Sequence, residues 1–150
     1  MGAKIEIKNE RLLSNEEVGD IHVVSSELYG IDISGDINPN IIDEIPILSI
    51  AASFAKGETL ITEAEELRVK ESDRLQAISD GLQKINIQHE LFHDGIKIIG
   101  SSEDISVMAE IDSHGDHRIA MSFLIASLRS KKGIYAVSYT HLTLPTILLV

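Results

Sequence analysis

The chain has 150 residues, 43% of them hydrophobic, which suits one domain with a packed core. Thirteen Lys and Arg against 24 Asp and Glu give a formal net charge of −11, which argues against a nucleic-acid or anionic-membrane partner. Cysteine is absent, excluding disulfides, thiolate metal sites and a Cys nucleophile; with no signal-peptide pattern at residues 1–4 and no membrane-length apolar run, a soluble cytoplasmic protein is expected.

Residues 4–8, 21–25 and 31–34 alternate polar and apolar side chains between Gly, Asp and Asn, the period of short strands. Residues 41–55 are apolar on nearly every face. Asp43 precedes Glu44-Ile45-Pro46, where a first helical turn tolerates proline's missing N–H, so Asp43 is expected to cap a buried helix. Residues 57–62 read as a strand. Leu75, Ile78, Leu82 and Ile85 then recur at helical spacing, which predicts a helix over about 70–85. Glu71 and Arg74 continue the line of that buried stripe, as candidates for a cleft wall. Residues 87–92 and 96–99 flank His93-Asp94-Gly95 as a hairpin, the Asp-Gly pair supplying positive φ. Residues 109–112 form one more strand, and Asp116 caps a helix through Leu128 with Ile119, Ala120, Phe123, Leu124 and Leu128 inward. The order is that of a compact α/β unit without a linker. The pattern is lost after Ala136, so the domain is placed at 1–136 and residues 137–150 read as a non-native read-through tail.

Two runs stand apart from amphipathic patterning, Arg68-Val69-Lys70-Glu71-Ser72-Asp73-Arg74 and Asp112-Ser113-His114-Gly115-Asp116-His117-Arg118-Ile119-Ala120-Met121. Each crowds acids and bases just before a helical pattern, where free N–H groups and the macrodipole favour an anion. In so acidic a chain, an anionic ligand must be held by a local cluster of Arg68, Lys70, Arg74 and Arg118. His114, Asp116 and His117 also invite a metal-dependent hydrolase reading. A loop followed by a helix start does not put His114 and His117 on one face, so no metal is expected. Asp116 reads by itself as a helix cap, and His22, His89 and His93 as structural or solvated. No glycine-rich phosphate loop points to NAD or ATP, and no cofactor is expected. A non-catalytic α/β module is the remaining alternative.

Asp43-Glu44-Ile45-Pro46, Glu66-Leu67-Arg68-Val69-Lys70-Glu71-Ser72-Asp73-Arg74-Leu75 and Asp116-His117-Arg118-Ile119-Ala120-Met121 resemble three signature segments of the 5-enolpyruvylshikimate-3-phosphate synthase family, in its order and approximate spacing. The resemblance implies an α/β (α+β) fold, part of an enolpyruvyl transferase domain built from βαβαββ units as an inside-out half barrel, on the C-terminal side of the family's chain. It implies a transferase that moves the enolpyruvyl group of phosphoenolpyruvate to the 5-hydroxyl of shikimate 3-phosphate and releases phosphate, in the shikimate pathway toward chorismate and aromatic amino acids. By similarity Asp43 would bind the 5-hydroxyl and act as its base, Glu71 would deliver a proton to carbon, and Lys70 would lie between the substrates. Arg74 and Arg118 would hold phosphoenolpyruvate, and His117 would orient or polarise. The family shares acid and base work with a lysine expected after Tyr135, which this chain lacks along with the opposing domain. The complete family protein is expected to be monomeric; these residues alone are expected to be inactive and prone to self-association.

Overall fold

All ten residues of the first strand are exposed. The computed structural model describes residues 1–35, 38–101 and 103–138. Strand β1 (Lys4–Leu13) pairs antiparallel with β2 (Glu16–Val24) as an isolated two-stranded ribbon. Both strands run longer than the alternation at 4–8 and 21–25 predicts. The register shifts between Lys8 and Arg11 around Asn9, whose φ is 53°, so strict alternation is interrupted by a bulge rather than by a strand end. Ser14 and Asn15 turn the ribbon with φ of 52° and 67°, the two positive values of a tight hairpin turn, here without the usual glycine. Cross-strand pairs Ile5↔Val23 and Ile7↔Ile21 give the ribbon one apolar face with no second layer over it among the described residues.

The body is a four-stranded sheet in the order β3-β4-β6-β5, comprising β3 (Asp32–Ile33), β4 (Gly57–Ile61), β5 (Gln88–Leu91) and β6 (Ile96–Gly100). β3 runs parallel to β4, and β6 lies antiparallel to both β4 and β5. A short helix α1 (Asn38–Ile41) and a 3-10 turn (Ile42–Glu44) lead into α2 (Ile45–Ser53), which carries Pro46 in its first turn. A second 3-10 turn (Glu65–Val69) precedes α3 (Arg74–Lys84). A parallel pair, β7 (Ala109–Asp112) and β8 (Ile134–Val137), brackets α4 (His117–Ser127). Ile45, Ile61, Leu67, Leu75, Ile78, Leu82, Ile96, Ile98, Ile119 and Phe123 form one buried core between the helices and the sheet. Each such aliphatic side chain contributes about 1.5–3 kcal/mol by leaving water.

Three expectations need correction. Asp43 caps nothing: it lies inside the 3-10 turn, and Glu44 occupies the N-cap of α2 without a side-chain hydrogen bond. The helix expected from residue 70 starts at Arg74, because Lys70 is extended and the Asp73 carboxylate accepts the Gln76 N–H at 3.0 Å as the cap. On α4 the buried side is Ile119, Ala120, Phe123 and Ala126, while Leu124 and Leu128 are exposed. Val137 belongs to β8, and residues 139–150 of the expected tail lie outside the described residues.

Candidate active site

Freed from capping, the Asp43 carboxylate meets three cations. It accepts a hydrogen bond from Arg74 Nη1 at 2.9 Å, with Lys70 Nζ at 3.8 Å and Arg118 Nη2 at 3.6 Å. The hydrogen bond from Arg74, reinforced by the charges of Arg118 and Lys70, holds the Asp43 carboxyl below its ordinary range despite partial burial. Asp43 is therefore an anion at neutral pH, suited to accepting a hydrogen bond. Arg118 also donates from Nη1 to the Asp43 carbonyl at 2.9 Å and to Glu44 at 3.1 Å, so the start of α4 is tied to the turn before α2.

Below Asp43 lies a buried pair. Arg74, 2% exposed, donates from Nε to Asp116 Oδ2 at 2.7 Å, and Asp116 is fully buried. The same oxygen accepts from Ser72 Oγ at 3.3 Å, while Oδ1 accepts the N–H groups of Arg118 and Ile119 at 2.9 and 3.3 Å. Burial alone would push the Asp116 carboxyl up; the hydrogen bond and charge of Arg74 and the two N–H groups outweigh it and hold it down. Arg74 is likewise disfavoured as a cation by burial and restored by Asp116 and Asp43. As expected, Asp116 is the cap of α4; its second role as the counter-charge of Arg74 has no signal in the sequence, because 42 residues separate the partners.

Glu71 and Arg74, expected side by side on a buried stripe, take different environments. Glu71 lies before the helix, half-exposed, and its Oε2 is 2.9 Å from His117 Nδ1. Either group can carry the proton of this hydrogen bond, the direction following the tautomer of the ring. Lys70 is also bound to Glu66, one helical turn earlier in sequence. Arg68 leaves the cluster altogether. Its Nε and Nη2 donate to the carbonyls of His93 and Phe92 at 2.6 and 2.7 Å, and its Nη1 to Asp73 at 2.8 Å. It staples the β5–β6 turn to the start of α3. His89, expected to be structural, bridges Ser79 Oγ and the Ile87 carbonyl.

The proposed metal-ligand trio does not assemble. His114, at φ 52°, has its Nδ1 3.8 Å from Asp112. Among the described residues the ligand atoms that do gather, within 4.8 Å of one another, are those of Glu71, Asp116 and His117. Both Asp116 oxygens there are already taken by donors. The helix N-termini are filled as well, that of α3 by Asp73 and that of α4 by Asp116. An anion is thus left to the side chains of Lys70 and Arg118 and to the small exposed part of Arg74, with two cavities beside the cluster. One is lined by Asp43, Arg118 and Met121, the other by Glu71, Ser72 and His114. Against those cations stand Asp43, Glu44, Glu66, Glu71 and Asp116, so these elements alone do not make a net positive site.

The family model of EPSP synthase (3-phosphoshikimate 1-carboxyvinyltransferase) matches residues 1–148. Proteins named 3-phosphoshikimate 1-carboxyvinyltransferase are similar to the chain: that of Vesicomyosocius okutanii is 51% identical over 129 residues, 86% of this chain and 29% of its own length. That of Petrotoga mobilis is 52% identical, covering 85% of this chain and 29% of its own. A solved EPSP synthase structure from Acinetobacter baumannii superposes with a TM-score of 0.88 at 44% identity, over 93% of this chain and 33% of that one. The chain therefore spans under a third of the length of these relatives.

Proposed function

The chain belongs to the EPSP synthase family, and on that premise we propose that residues 43–118 supply one wall of a site that transfers the enolpyruvyl group of phosphoenolpyruvate to the 5-hydroxyl of shikimate 3-phosphate. The observation that supports this best is the convergence of Asp43, Lys70, Arg74 and Arg118 from three separate segments. In the addition step the hydroxyl oxygen bonds to the enol carbon as its proton passes to Asp43 and a proton from Glu71 reaches the methylene carbon; Glu71 then takes a proton back from the resulting methyl group as the enol double bond re-forms, and phosphate leaves carrying the proton of the hydroxyl. Asp43 accepts the hydrogen bond of the 5-hydroxyl and orients it; its three cation neighbours make it a firm acceptor and a weak base. Glu71 is the proton donor to carbon, and His117, on its carboxylate, orients it and can return the proton. Arg118 and Arg74 meet the carboxylate and phosphate of phosphoenolpyruvate, as planar guanidinium groups do. Since Arg74 already uses Nε and Nη1, a ligand meets it through Nη2 or in competition with Asp43. Lys70 lies between the two substrates.

The paired acids and the open cavities mean that these 150 residues alone give no measurable turnover, because ligands on one wall are neither desolvated nor aligned. The test is to graft residues 1–138 in place of the matching segment of a complete relative such as the Acinetobacter baumannii enzyme. Phosphate release dependent on both substrates is expected, with Arg118→Ala raising KM for phosphoenolpyruvate by tenfold or more. A graft that folds but is silent, or an Arg118→Ala graft with unchanged KM, contradicts the reading. No described helix is long and apolar enough to cross a membrane, and a cytoplasmic location accords with the proposed substrates.

A further inference from the structure

Resting on the transferase reading above, we propose that Asp116 is a positioning residue for that reaction: a single buried carboxylate sets the guanidinium of Arg74 relative to the helix start that carries His117 and Arg118. The geometry is over-determined for a helix cap. Oδ1 alone serves the cap, accepting from the N–H groups of Arg118 and Ile119. Oδ2 faces the other way and holds Arg74 Nε at 2.7 Å and Ser72 Oγ at 3.3 Å. Rotation of the carboxylate to improve one set of bonds breaks the other. Arg74 is the first residue of α3 and Arg118 the second of α4, so Asp116 fixes the spacing of the two side chains assigned to phosphoenolpyruvate from the buried side, while Asp43 contacts both from the exposed side. Arg74 continues to Asp43 at 2.9 Å, which extends the constraint to the acceptor of the 5-hydroxyl. Asp116 itself, with no exposed surface, touches no substrate.

A plain cap and a positioning group are separable, because Asn caps a helix about as well as Asp but supplies no counter-charge to an arginine. In the 150-residue chain, the Arg74 Nε–H signal in nitrogen-15 NMR is expected to be protected from solvent exchange, less so in Ser72→Ala, and lost in Asp116→Asn. Exchange at the free-arginine rate in the unsubstituted chain overturns the proposal. In the graft, Asp116→Asn is expected to raise KM for phosphoenolpyruvate at least tenfold while kcat falls less, and to add under twofold in an Arg74→Gln background. Multiplicative effects in that double variant, or an unchanged KM, refute it. Should Asp116→Asn fail to fold, Ser72→Ala decides: a several-fold KM rise that vanishes in the Arg74→Gln background is expected, and an unchanged KM refutes it. A graft that is silent without substitution counts against the transferase reading, and leaves the anchoring of Arg74 to the NMR measurement.

Discussion

Asp116 shows why residue-scale chemistry here depends on burial rather than on charge count. Its carboxyl and that of Asp43 are held below their ordinary range, so each contributes stability that is complete above the unfolded value, about pH 4, and is lost as pH falls through the lower folded value. The urea midpoint is therefore expected to stay level in this respect from about pH 7 to 5 and to fall below about pH 4. Asp116→Asn, which leaves the buried Arg74 with Asp43 but without its buried partner, should cost about 3 kcal/mol at pH 7 and flatten that acid limb. Parallel acid limbs in the two proteins would show that the pair is not the source. The candidate residues of the two charged runs stand out in the sequence, since neither run is explained by a hydrophobic stripe. What could not be read was their division of labour. Arg68 and Arg74 are equally basic on paper, yet one staples a hairpin turn and the other is buried beneath Asp43, because Arg68 lies in the 3-10 turn Glu65–Val69 while Arg74 opens α3.

At the scale of elements, helix ends carry the chemistry and helix interiors hold the ends in place. α3 and α4 approach closely at Gly81, where an added Cβ would lie 2.1 Å from Cζ of Phe123. Alanine has the better intrinsic helix propensity by about 1 kcal/mol, but the ring has no room to retreat in the core. Gly81→Ala is expected to lower stability by about 1–3 kcal/mol and the melting temperature with it, whereas a raised melting temperature would show that propensity wins. The strands at 57–62, 87–92, 96–99 and 109–112 and the helix after Asp116 were legible because hydrophobic period and turn residues agree there. The helix expected from residue 70 starts late because Lys70 is extended and Asp73 supplies the cap, its carboxylate accepting the Gln76 N–H. The ribbon's length was hidden by the bulge at Asn9 and by a turn made of Ser14 and Asn15 in place of Asn-Gly.

At the scale of the molecule, the ribbon is an element without a partner layer among the described residues. Ile5, Ile7, Ile21 and Val23 are 57–70% exposed on one face, with both strand edges unpaired among the described residues. Concentrated solutions of the chain are expected to self-associate in sedimentation velocity, and Ile21→Glu to return them toward the monomer; a single monomeric boundary at high concentration would contradict this. The central claim concerns the other face, where Glu71 and His117 stand over the buried pair of Arg74 and Asp116. Its most direct test is phosphate release by the grafted enzyme carrying Glu71→Gln, which preserves shape while removing the transferable proton. The account predicts a loss of about a hundredfold or more in kcat with the melting curve unchanged. Turnover retained within a few-fold would contradict it.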